Sequence, residues 1–233
     1  MSTLDGKVAL VTGAGQGVGA GIARVLAERG ADVVVNDLFP ERAEAVAAEV
    51  GGRAVAFDVT DLGAVQAGFA AAGPVDVLVN NAGIPTDGFP QVDFKDSDPA
   101  VWRRFVDLNL YGVLNCTHAA LASMCERGWG RVITISSEAG RVGLSIRVAL
   151  YGAAKAGAIG LMKHLAHEVG PLGVTCNVLA LGSMEGTPQN PSRYPVPRLG
   201  TGHDVGEAVA FLASDGAEWI TGQVVGVNGG AVT

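Results

Sequence analysis

The sequence predicts an α/β fold, a single doubly wound parallel β-sheet with helices on both faces (a Rossmann fold). Three observations predict it. Strand-like and helix-like segments alternate about six times along the 233 residues. The strand-like segments are near-continuous apolar runs, the pattern of parallel strands covered on both faces. The first run ends in a glycine-rich turn that opens a helix.

Each element has its own signal. Residues 7–12 (KVALVT) read as the first strand and stop at Gly13. Residues 17–29 place Val18, Ile22, Val25 and Leu26 on one helical face. Residues 32–37 are β-branched and strand-like, and 41–50 read as helix behind Pro40. Residues 53–57 make a third strand, 61–72 a third helix and 75–80 a fourth strand. One long helix is expected over 99–127, with Asp98 as cap and Pro99 at its first position. Then come a strand at 131–136, a helix at 151–169, a strand at 173–179, a helix at 204–214 and a strand at 223–228. Residues 182–203, with prolines 188, 191, 195 and 197, read as a loop over the site. No linker or repeat interrupts this order, so 1–233 is expected to be one domain.

Composition narrows the function. Hydrophobic residues at 48 % and charged residues at 17 % exclude a disordered chain. A net charge of −7 without any Lys/Arg run excludes a basic nucleic-acid surface. Cys116, Cys125 and Cys176 form no CxxC pair, so no metal is expected and buried free thiols are. No signal-peptide layout and no apolar stretch of ~18 residues occurs, so a cytoplasmic protein without a membrane partner is expected.

The glycine turn carries the first chemistry. In TGAGQGVG, Gly13 allows a sharp turn, while Gly17 and Gly19 remove side chains where backbone approaches a pyrophosphate. The following helix offers free N–H groups and its positive dipole end to phosphates. Asp37 closes the second strand, where a carboxylate accepts hydrogen bonds from both ribose hydroxyls and repels a 2′-phosphate. No Arg or Lys stands at 36–39, and the turn carries Gln16. NAD is therefore expected over NADP.

The second chemistry lies on the helix at 151–169. Tyr151 and Lys155 are four apart and share a face. A nearby ammonium, with the positive charge of oxidised nicotinamide, stabilises a phenolate and so lowers a pKa that is ordinarily about 10. Ser137 ends the fifth strand at the sheet edge where ligands bind, and its hydroxyl can hold an oxygen on which charge develops.

Taken together these segments resemble the short-chain dehydrogenase/reductase family, in its short single-domain NAD-dependent branch, over essentially the whole chain. TGAGQGVG at 12–19 is similar to the family's cofactor loop. FDVTD at 57–61 resembles its adenine-contact segment, with Asp58 and Val59 near the base. NNAG at 80–83 resembles the motif lining the cofactor, which implies roles for Asn81, Ala82 and Gly83. LNLYG at 108–112 carries Asn109 at the family's fourth catalytic position, and YGAAK at 151–155 matches its Tyr and Lys. TGQVVGVNGG at 221–230 resembles its last strand.

The resemblance implies a mechanism. Tyr151 takes the hydroxyl proton of a secondary alcohol while hydride leaves for the nicotinamide; in reduction it is the acid. Ser137 orients the substrate oxygen, Lys155 lowers the Tyr151 pKa and binds the nicotinamide ribose, and Asn109 holds a water. Two departures stand out. The Ser137–Tyr151 spacing is one residue longer than the family pattern, which keeps Ser136 and Ser145 as alternatives. Leu181-Gly182 replaces a Pro-Gly, which leaves Met184 and a hydroxyl from Ser183 or Thr187 as the carboxamide contacts.

The partner is expected to be a small alcohol or ketone. Val142, Leu144 and Ile146 could pack on a hydrophobic substrate or lie on the surface. VVVNDL at 33–38 also resembles the hydroxyacyl-CoA dehydrogenases of the family, in which case Arg141 or Arg147 would meet a phosphate or thioester carrier. A catalytically silent NAD-binding scaffold is the other alternative. His164 and His167 read as exposed, and Trp102, Trp129 and Trp219 as packing. A homo-oligomer, tetramer or dimer, is expected through the helices at 99–127 and 151–169.

Overall fold

The apolar runs become strands because every second side chain can enter one core and its neighbours another. The computed structural model describes residues 4–84, 91–190, 192 and 194–232. The strands are β1 (Val8–Val11), β2 (Asp32–Val35), β3 (Arg53–Ala54), β4 (Val77–Asn80), β5 (Gly130–Ser137), β6 (Val174–Leu181) and β7 (Val224–Val227). They form one parallel sheet in the order β3-β2-β1-β4-β5-β6-β7. The helices are α1 (Gly17–Glu28), α2 (Pro40–Val50), α3 (Leu62–Ala72), α4 (Pro99–Val106), α5 (Gly112–Glu126), α6 (Ala149–Val169) and α7 (Gly202–Ala213).

Alternation along the strands divides the core. Val11, Val35, Val79, Ile135 and Leu181 face one layer with Ile22, Leu26 and Val209 of α1 and α7. Leu10, Val34, Leu78, Val132 and Val178 face the other, with Val65, Val113 and Met162 of α3, α5 and α6. Truncating a fully buried side chain such as Leu26 would cost about 2–5 kcal/mol. Strand order reverses beside β1, which is paired with both β2 and β4. The crevice beyond the carboxyl ends of strands at such a reversal is where this architecture binds ligands.

Several boundaries differ from the sequence reading. The single helix expected over 99–127 is broken into α4 and α5 by a π-helical segment, Asp107–Tyr111. β3 is only two residues long, because beyond Ala54 the Asn36 side-chain amide takes the carbonyls of Val55 and Phe57. α7 starts at Gly202 rather than 204, because Thr201 and Asp204 form a capping box. α6 starts at Ala149. Trp219 does not pack: it is 96 % exposed. Trp102 stacks on Phe94, and Trp129 packs on the core with Lys7 and Arg131 over its ring. His164 and His167 are exposed. Cys116 and Cys176 are buried, and burial pushes both thiols up to about 12, whereas Cys125 is only half-buried. Pro191 lies outside the described residues.

Candidate active site

The glycine turn and the end of β4 are built as one unit. Gly13 has φ 60°, and a Cβ there would stand 2.9 Å from the Ala82 Cα. Only glycine meets both conditions at no cost. The Thr12 hydroxyl accepts from the Asn81 and Ala82 N–H groups, at 3.0 and 3.1 Å. The Asn81 side-chain amide donates to the carbonyls of Thr12 and Gly13, at 2.9 and 3.0 Å.

Between these segments runs a groove of about 790 Å³. It is lined by Gly13, Gln16, Gly17, Val18, Gly19, Asp37, Asp58, Val59, Asn81, Ala82 and Gly83, every cofactor residue expected in that half of the chain. Asp37 is buried, with its carboxylate accepting from the Gly15 N–H at 3.0 Å and the Phe39 N–H at 3.1 Å. Met184 is not brought into this lining. Its side chain packs against the core, its backbone pairs with Gly200, and its carbonyl accepts from Thr187. Ser183 is taken by the Tyr194 hydroxyl, at 2.8 Å.

β5 and α6 converge behind Gly83 of this lining; Tyr151 and Lys155 are not in the lining itself, and Tyr151 borders a second cavity. The Ser137 hydroxyl lies close enough to the Tyr151 phenol to lower its pKa. Ser136 is buried, donating to the Lys155 carbonyl at 3.4 Å, and Ser145 is exposed, so neither competes for that place. Lys155 is 3 % exposed, and its ammonium donates to the Ile135 carbonyl at 2.8 Å. Loss of solvation lowers its pKa to about 8.

Asn109 sits in the π-helical segment, which turns it inward. Its amide nitrogen donates to the Phe105 carbonyl at 3.1 Å, while its buried Oδ1 has no partner. A Cβ on Gly83 would lie 2.7 Å from the Lys155 ammonium and 2.8 Å from that oxygen. The two groups therefore border one small space, kept open by a glycine, with a donor and an acceptor for water.

The phenol differs from expectation. Burial raises the Tyr151 pKa, and the Ser137 hydroxyl is what lowers it. Lys155 stands 5.7 Å from the ring centroid and does not govern the phenol in the protein alone.

A family model described as short chain dehydrogenase matches residues 7–195. The chain belongs to the short-chain dehydrogenase family. It is an oxidoreductase of that family, and the family binds a nicotinamide cofactor. The 3-oxoacyl-[acyl-carrier-protein] reductase FabG of Escherichia coli (strain K12) is 39 % identical, covering 97 % of each chain. The acetoacetyl-CoA reductase of Rhizobium meliloti (strain 1021) is 39 % identical, covering 96 % of this chain and 98 % of that one. Among solved structures, a 3-oxoacyl-[acyl-carrier protein] reductase with bound NAD from Brucella melitensis aligns with a TM-score of 0.90 at 34 % identity, covering 97 % of this chain and 91 % of that one.

This short-chain dehydrogenase also has features that its sequence did not disclose. Arg42 lines the cofactor groove beside Asp37, its guanidinium 4.3 Å over the Phe39 ring. Arg42 lies three residues beyond the 36–39 segment, on the first turn of α2. A cavity of about 310 Å³ adjoins Tyr151 and is lined by Val92, Phe94, Val101, Phe105, Val148 and Leu150. Val142, Leu144 and Ile146 take no part in it and are exposed. Arg141 is paired with Glu138 at 3.0 Å. Arg147, with φ 56°, borders the cavity and is paired with Asp93 at 3.2 Å.

Proposed function

We propose that this short-chain dehydrogenase uses NAD(H) to interconvert a ketone and a secondary alcohol, with a 3-oxoacyl thioester as the ketone and Tyr151 as the acid/base. The observation that carries the reading is the grouping of Ser137, Tyr151 and Lys155, with the Lys155 ammonium against Gly83, a residue of the glycine-lined groove. The similarity to reductases of 3-oxoacyl and acetoacetyl thioesters supports the substrate class. So does the apolar cavity beside Tyr151, which suits a short acyl chain.

The groove fits a dinucleotide. Gly13, Gly17 and Gly19 leave room for a pyrophosphate at the start of α1. Asp37 retains lone pairs for ribose hydroxyls and repels a 2′-phosphate, which favours NAD. When bound, the cofactor supplies the hydride acceptor or donor and, when oxidised, a positive charge near the phenol. The remaining work belongs to the chain. In reduction the Tyr151 phenol gives its proton to the carbonyl oxygen as charge develops there. The Ser137 hydroxyl orients that oxygen. A water held between the Asn109 Oδ1 and the Lys155 ammonium returns a proton toward Tyr151.

The test is turnover of acetoacetyl-CoA with NADH or NADPH, followed by cofactor absorbance. NADH should give a kcat/KM higher on the order of tenfold or more. Asp37→Ala should reverse that ranking, because Arg42 remains to meet a 2′-phosphate. A wild-type preference for NADPH would contradict the cofactor assignment. Tight NADH binding without turnover of any ketone would favour the silent scaffold.

A further inference from the structure

We propose that Glu138 is a positioning residue for Ser137, its buried carboxylate tying the Ser137 turn to Arg141 and to the end of β7. The proposal rests on the reading of Ser137 given above. Glu138 directly follows Ser137 yet is 2 % exposed. The Arg141 guanidinium donates to both of its carboxylate oxygens, at 3.0 and 3.2 Å. Asn228, one residue beyond β7, donates to Glu138 Oε1 at 2.8 Å. The same Asn228 amide donates to the Val232 carbonyl at 2.8 Å, and its Oδ1 accepts from the Gly230 N–H at 2.8 Å. A Cβ on Gly226 would come within 3.1 Å of both Arg141 Nη1 and Glu138 Oε1, so β7 is bare where the cluster sits.

A buried carboxylate is a poor device for stability alone, since an apolar replacement of a buried ion pair is often neutral or better. What this one fixes is the short turn at residues 138–140. The Glu138 carbonyl accepts from the Arg141 and Val142 N–H groups, both at 2.9 Å. Within that turn the Ala139 N–H donates to the Ser137 Oγ at 3.2 Å. That bond fixes the Ser137 Oγ, the group that lowers the phenol's pKa. The path runs from Arg141 and Asn228 through the Glu138 carboxylate to the Ala139 N–H, then to Ser137 and Tyr151.

The experiment is a double-mutant cycle of Glu138→Gln with Ser137→Ala, read in NADH-driven reduction of acetoacetyl-CoA and in the titration of Tyr151. The phenolate absorbance that disappears in Tyr151→Phe reports that titration without any substrate. Glu138→Gln should lower kcat by about tenfold or more while KM and NADH affinity stay within about twofold. It should also move the Tyr151 titration to higher pH. In the Ser137→Ala background the same substitution should change kcat by less than about twofold and leave the titration in place. Equal fold losses in both backgrounds, or an unchanged titration in the single variant, would overturn the proposal. A Ser137→Ala enzyme with near wild-type kcat would instead overturn the reading of Ser137 itself. If circular dichroism shows that Glu138→Gln does not fold, Arg141→Met and Asn228→Leu each remove one donor from the carboxylate and are put through the same cycle with the same two outcomes.

Discussion

Lys155 carries an ammonium into a place that is nearly closed to water, with the Ile135 carbonyl at 2.8 Å as its hydrogen-bond acceptor. Its pKa falls to about 8, so the folded state holds that proton less tightly than the unfolded chain does. The sign follows from linkage: the cost is fully present below about pH 8 and fades as pH rises toward the ordinary lysine value of about 10.4. Its size is ~3 kcal/mol at neutral pH. Lys155→Met should therefore melt about 6–12 °C higher than wild type at pH 7 and lose that advantage near pH 10, while turnover collapses. Thermal scans at the two pH values check this, and a lower melting point at pH 7 would contradict it. At this scale the site was legible where chemistry follows spacing along one element. Tyr151 and Lys155 share a helix face, and the residues from Gly13 to Gly19 share one turn. It was not legible where the partner is remote in sequence. Glu138 meets Asn228 across the fold, and burial raises the Tyr151 pKa while Ser137 lowers it. Arg42 was missed because only the folded start of α2 brings it beside Asp37.

Among the elements, strands and helices emerged in the order expected, since each buries a face that its own periodicity defines. Their ends were less legible, because ends depend on individual hydrogen bonds. The start of α7 was nevertheless written in the sequence. Thr201 and Asp204 cap each other, with the Thr201 Oγ1 accepting from the Asp204 N–H at 3.1 Å and Asp204 Oδ2 accepting from the Thr201 N–H at 2.8 Å. Arg198 and these bonds hold the Asp204 carboxyl well below the usual range. Thr201→Ala should cost about 1 kcal/mol and lower the melting temperature by about 2–4 °C, with NADH affinity unchanged. A loss of cofactor binding would mean that this cap belongs to the site rather than to the helix. The π-helical segment between α4 and α5 carried no comparable sequence signal. DLNLY has neither proline nor glycine, and only tertiary packing shows that one extra residue per turn brings Asn109 to Lys155.

For the whole molecule, the sheet order gathers the site. The ends of β1, β2, β4 and β5 supply the glycine turn, Asp37, residues 81–83 and Ser137 at one edge. Among the described residues no helix is long and apolar enough to cross a membrane. Trp219 is almost fully exposed, and Phe211 and Val225 are half-exposed, at the α7–β7 edge of the sheet. A homotetramer remains the expected assembly, and light scattering at micromolar concentration should return four chain masses; a single chain mass would refute it.

The central claim is that the phenol at position 151 exchanges the proton in the chemical step. Single-turnover mixing of the enzyme–NADH complex with acetoacetyl-CoA measures that step directly. Tyr151→Phe should bind NADH as wild type does and oxidise it on the order of 10³-fold more slowly. Oxidation by Tyr151→Phe within a few-fold of the wild-type rate would contradict the account.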